Sequence, residues 1–204
     1  EERQQLYGTS DHVSLNENDE NVRNNSVGSH GQHNSNRSVG ERSINEDDER
    51  NEHPGVIIIR ELGNDVIKIV QCMQDFNQSA DVQAFGLQAI SNLELSDQDC
   101  ADIARHNFIH VAMDAMCGFP EDLELQVYGC RAIWNASGIP ENQCLFVEEG
   151  VLGVVLKVMS DFVTNSELQE QGLAVLANLG AAEENVGRLH ECGAVARLVE
   201  TMNR

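Results

Sequence analysis

Basic residues are scarce in this chain, with 13 Lys and Arg set against 34 Asp and Glu, a formal net charge of −21. Such a field repels phosphate backbones, which excludes nucleic acid as a ligand and favours a basic protein segment. No run approaches the roughly 20 apolar residues that a membrane-spanning helix requires, and no signal peptide opens the chain. Six cysteines, at positions 72, 100, 117, 130, 144 and 192, form no CxxC pair. They fall within apolar helical patterns and read as small core residues in a reducing compartment. The expected setting is therefore intracellular and cytoplasmic, with the nucleus as the alternative. The chain opens on Glu1 rather than Met, which points to a fragment or processed form.

Catalytic signals are also missing. His106 and His110 are four apart, but Asn107 between them breaks the shared helical face that a metal pair needs. Gly150 and Gly153 in EEGVLG lack the lysine and third glycine of a phosphate loop. Glu148 and Glu149 are adjacent, hence on different helix faces, and make a poor acid and base pair. The expectation is a protein that is not an enzyme and has no catalytic residue, cofactor or metal.

What is present is a repeat. Met73, Met116, Met159 and Met202 stand 43 residues apart, and Gln83, Gln126, Gln169 and Asn92, Asn135, Asn178 keep the same interval. A fixed period of 20 to 50 residues marks a solenoid, in which each layer contacts only its neighbours. The repeat region is residues 54–204, with a partial repeat at 54–81 and repeats at 82–124, 125–167 and 168–204. Residues 1–53 are Asn, Ser and acidic, with 12 acids and 5 bases, leaving 22 and 8 for the repeats. Both parts are acidic, at about −7 and −14. So few apolar residues before Pro54 cannot offset an ordering entropy of roughly 1 to 2 kcal/mol per residue, so a disordered acidic tail is expected there.

Ser79, Asp122 and Asn165 can each accept from the free N–H groups of a helix start, and Asp81, Glu124 and Glu167 suit the positive end of its dipole. The helices that follow, VQAFGLQAISNL, LQVYGCRAIWNA and LQEQGLAVLANL, are one-sided. Gly86, Gly129 and Gly172 fall in mid-helix, where glycine costs about 1 kcal/mol relative to alanine, and close packing against the next layer is the expected reason. Asp99, Asn142 and Asn185 are read as opening a short second helix that stops at Asn107, Gly150 and Gly193. A third helix carries the methionines, with Phe76, Phe119 and Phe162 three residues beyond them. Three one-sided helices per row make an all-α protein.

This three-helix row resembles the armadillo repeat. The likeness rests on the long QEQGLAVLANL-type helix, the EEN turn at Glu183 to Asn185, the Gly150 and Gly193 turns, and the helices GVLGVVLKVM and GAVARLVETM. It implies a right-handed armadillo-type α-solenoid of about 3.5 repeats. In that family the long helices line a concave groove, where an asparagine can hold the backbone of an extended peptide. Asn92, Asn135 and Asn178 match that column. A carboxamide both donates and accepts, which suits a peptide unit read without regard to sequence. Each such bond nets about 0.5 to 1.5 kcal/mol against about 8.2 kcal/mol for micromolar binding, so other contacts must contribute. Import receptors of the importin-α kind place tryptophan four residues before the asparagine. Gln88, Arg131 and Ala174 stand there, Trp134 lies one residue before its asparagine, and the importin-α-like cargo site is not supported.

Phe85 and Tyr128, with Gln171, lie seven residues before the asparagines and are either anchors for a partner or shields for the groove floor. Arg131 faces either an acidic side chain of a partner or its own neighbours Glu124 and Glu167. The implied function is a non-catalytic scaffold or adaptor whose groove, lined by Asn92, Asn135, Asn178, Gln88, Arg131, Phe85 and Tyr128, binds a protein or peptide segment, with no membrane partner. The alternatives are the regulatory or substrate-binding arm of a larger enzyme, a ubiquitin ligase or multidomain kinase, or a nuclear transport adaptor. Self-association through an uncovered C-terminal end is a further expectation.

Overall fold

The computed structural model describes residues 52–202. The expected disorder of the tail, over residues 1–51, lies outside the described residues, as does the side chain of Met202.

Each long helix begins where an oxygen-bearing side chain can cap it. Ser79, Asp122 and Asn165 accept from the backbone N–H groups of Val82, Leu125 and Leu168, at 3.4, 3.1 and 2.8 Å. The long helices are α3 (Ala80–Ser91), α6 (Leu123–Ala136) and α9 (Ser166–Leu179). Between them run α1 (Pro54–Leu62), α2 (Val66–Asp75), α4 (Asp97–Arg105), α5 (Phe108–Gly118), α7 (Pro140–Glu148) and α8 (Val151–Asp161). A 3₁₀ turn at Glu183–Asn185 then leads into α10 (Val186–Glu191) and α11 (Ala194–Met202), and no strand occurs among the described residues. The helices group by threes, with α3 packed on α6 and α6 on α9, while α2, α5 and α8 form a parallel stack beside them. The protein is an all-α armadillo-type solenoid.

The turn between the second and third helices of a repeat, α4 to α5, α7 to α8 and α10 to α11, needs left-handed backbone. Asn107, Gly150 and Gly193 supply it at φ 66, 95 and 78°, where the expected helix stops fall.

The periodic columns explain one another. Met73, Met116 and Met159 are fully buried, and an ideal Cβ on Gly86, Gly129 or Gly172 would come within 2.5 to 2.7 Å of the corresponding methionine sulfur. The glycines therefore make room for the methionine of the helix before them, which belongs to the preceding 43-residue repeat, and the expected close packing is against that buried side chain. Gln83, Gln126 and Gln169 donate through Nε2 to the carbonyls of Met73, Met116 and Met159, at 2.8, 2.9 and 2.7 Å. They also reach the carbonyls of Phe76, Phe119 and Phe162, at 3.2, 3.0 and 3.2 Å. Carbonyls at a helix C-terminus have no partner within the helix, and the glutamines satisfy them from the helix that follows.

In two of the repeats the second helix starts earlier than the column of Asp99, Asn142 and Asn185, whereas Asn185 directly precedes α10. A capping box of Ser96 and Asp99 opens α4 at Asp97, and Pro140 occupies the first turn of α7. Asn142 and Asn185 are instead 3% exposed and link layers, because their amides find carbonyls on the preceding layer. Asn142 donates to the Cys100 and Ala136 carbonyls at 2.8 and 2.7 Å, and Asn185 to those of Gln143 and Leu179 at 2.9 and 2.8 Å. Cysteine burial is uneven. Cys72, Cys100 and Cys130 are core residues, whereas Cys117 on α5 and Cys192 in the turn after α10 are exposed.

Candidate functional site

The candidate site is the accessible strip of α3, α6 and α9. Helical geometry sets residues seven apart on one face, about 10 Å from each other along the axis. On α3 this strip holds Phe85, Gln88 and Asn92; on α6, Tyr128, Arg131 and Asn135; on α9, Gln171, Ala174 and Asn178.

The floor of the strip is tied together. Tyr128 is 7% exposed, and its hydroxyl accepts from Nε2 of Gln88 at 2.8 Å, joining α6 to α3. Phe85 is half-buried beneath the Arg60 guanidinium, which lies 5.5 Å from the ring centroid and pairs with Glu52 at 2.5 Å. Both aromatics thus have partners within the fold.

The three asparagines are not equivalent. The Asn135 amide nitrogen lies 3.3, 3.3 and 2.8 Å from the carbonyls of Ile90, Ser91 and Leu93 at the end of α3. The Asn178 nitrogen lies 3.2 Å from both the Trp134 carbonyl and the Ser137 hydroxyl. Asn92 is exposed, and its side chain makes no hydrogen bond to another described residue. In two of the three, the donor half of the carboxamide is engaged by the preceding layer, and the acceptor half remains for a ligand.

Arg131 is exposed on α6, two helical turns after Glu124. Trp134, passed over as a groove residue in the sequence, is 40% exposed on α6. Its only signal there is its place beside the asparagine column.

Elsewhere the chemistry is structural. The His106 ring Nδ1 lies 2.7 Å from the Asp102 carbonyl at the end of α4, while His110 on α5 pairs with Glu149 at 3.0 Å. No group of three or more His, Cys, Asp or Glu among the described residues could hold a metal ion. No helix among them is long and apolar enough to cross a membrane. Burial pushes the Cys130 thiol up to about 12, so it is no nucleophile at neutral pH.

Residues 59–197 match the family model described as LRRK2 ARM repeat. No curated protein and no solved structure matches the chain.

Proposed function

Because the chain belongs to the LRRK2 ARM repeat family, we propose that it is a non-catalytic interaction scaffold that grips a segment of a partner protein along α3, α6 and α9. One observation carries this reading. Arg131 and Trp134 stand exposed one turn apart on the central long helix, and these two residue types are among those that dominate interface energy. Around them, Asn92, Asn135 and Asn178 offer carboxamide oxygens to a peptide backbone, above the floor made by Gln88, Phe85 and Tyr128. The acidic balance of the repeats, with 22 acids to 8 bases, steers a basic segment towards this strip and disfavours nucleic acid. The cysteines are unpaired thiols, which supports an intracellular, cytoplasmic setting or the nucleus.

The test is affinity capture with the native chain beside an Arg131→Glu, Trp134→Ala variant, both shown to melt at the same temperature. Proteins retained by the native chain alone are ligands of the strip. If both baits hold the same proteins, the strip is not the binding surface.

A second reading, the regulatory arm of a larger kinase, is compatible with the LRRK2 ARM match. It differs in where the partner lies, namely within the same polypeptide. Self-association belongs to the proposal as well. Val195 and Val199 of α11 are 50% and 54% exposed, whereas Ile109 and Leu152, which precede Val195 in its column, are buried. Light scattering at several concentrations tests it, since a mass that stays at one chain excludes pairing.

A further inference from the structure

We propose that the cleft between α2 and α5 is a socket for a single lysine or arginine side chain of a partner protein, separate from the long-helix strip. The cleft encloses about 430 Å³. Apolar Met73, Val111 and Phe119 line it beside amide side chains, Gln74 and Gln78 among them, and Asp114 supplies its one carboxylate. Such a mixed lining with a single carboxylate matches a basic side chain, whose methylene stem lies on hydrocarbon while its charged end meets polar groups.

The internal repeat supplies the comparison. One repeat further on, the groove between α5 and α8 has Lys157 in the place of Asp114, Asp161 in that of Gly118, and Glu121 in that of Gln78. There the chain provides its own cation. The Lys157 ammonium lies 2.5 Å from Asp161, and that bond, aided by the nearby Cys117 and Glu121, raises its pKa. Between α2 and α5 the cation is missing and a carboxylate replaces it. Gly118 leaves the space open, since a Cβ there would meet nothing within 4 Å. Asp114 is exposed and has neither hydrogen bond nor ion pair among the described residues. A cation brought by a partner would give Asp114 a counter-ion, as Asp161 gives one to Lys157 in the next repeat.

The experiment is amide chemical-shift titration of the whole 204-residue chain with n-butylammonium, and with 1-butanol as the uncharged control. Saturable shifts at Asn107, Asp114 and Gly118 are expected with butylammonium, and butanol should bind at least fivefold more weakly. Asp114→Asn should weaken butylammonium about fivefold, the worth of an exposed ion pair. The Asp114→Lys, Gly118→Asp variant, which installs the residues of the next repeat, should abolish the shifts while keeping the native spectrum elsewhere. Equal binding of the two probes overturns the proposal, as does undiminished binding by Asp114→Asn. So do non-saturating shifts spread over the acidic surface. None of these outcomes touches the strip on α3, α6 and α9, whose test is separate.

Discussion

The side-chain amide of Asn142 lies 2.8 Å from the carbonyl of Cys100, a residue 42 positions earlier, and this buried bond fastens α7 to α4. Its second bond, at 2.7 Å, closes the end of α6 through the Ala136 carbonyl. Asn142→Ala would take the side-chain donor from the Ala136 carbonyl at the end of α6 and cut the tie to α4, and a loss of about 1 to 3 kcal/mol in urea unfolding is expected. Asn92→Ala, at an exposed position, should stay within about 0.5 kcal/mol of the native chain. Equal effects at the two sites would contradict the division between layer-linking and surface asparagines.

Glycines at superficially similar helical positions should respond with opposite signs. A Cβ on Gly129 would stand 2.7 Å from the Met116 sulfur, whereas one on Gly153 would meet nothing within 4 Å. Gly153→Ala gains helix propensity and should stabilise by up to about 1 kcal/mol. Gly129→Ala gains the same propensity but must displace a buried methionine, and overpacking of this kind costs about 1 to 3 kcal/mol. Thermal melting of the two variants checks the prediction.

Thiol labelling should divide the cysteines by burial and charge cost. Cys117 and Cys192 are exposed and should react with iodoacetamide in the folded chain. Cys130 is fully buried with its pKa at about 12, and burial raises Cys72 and Cys100 as well. These three should label only after unfolding, which mass spectrometry of labelled peptides would show.

The capping box of α4 confers a pH dependence of definite sign. Hydrogen bonds from the Ser96 hydroxyl and backbone N–H hold the Asp99 carboxyl below its ordinary value of 3.8. A carboxyl lowered by folding contributes stability above its unfolded pKa and loses it as the pH falls through the folded one. The native chain should therefore exceed Asp99→Asn in melting temperature at pH 7, with the gap closing below pH 3.8. A gap that widened on acidification would reverse the assigned role.

Most of the helical plan was legible in the residues because its determinants are local. Ser79, Asp122 and Asn165 act on N–H groups three residues away, and Asn107, Gly150 and Gly193 act through their own backbone angle. The period located the columns, but it could not say which neighbour a column meets. Gly129 opposes a methionine 13 positions back, and Asn142 reaches 42 positions back, choices made only when helices pack. The same holds for the candidate strip. Tyr128 sinks into the floor because Gln88 on another helix receives it, while Trp134 stands outside at 40% exposure. Exposure at such places is a property of the joint and is invisible in a single row.

Asn135 holds the last turn of α3 with the hydrogens of its amide, and its oxygen accepts no hydrogen bond from another described residue. A ligand that bonds to that oxygen withdraws electron density from the nitrogen and strengthens its grip on the carbonyls behind it. Loading the inner surface would then tighten the hinge between two neighbouring storeys, so that occupancy is felt as rigidity along the stack.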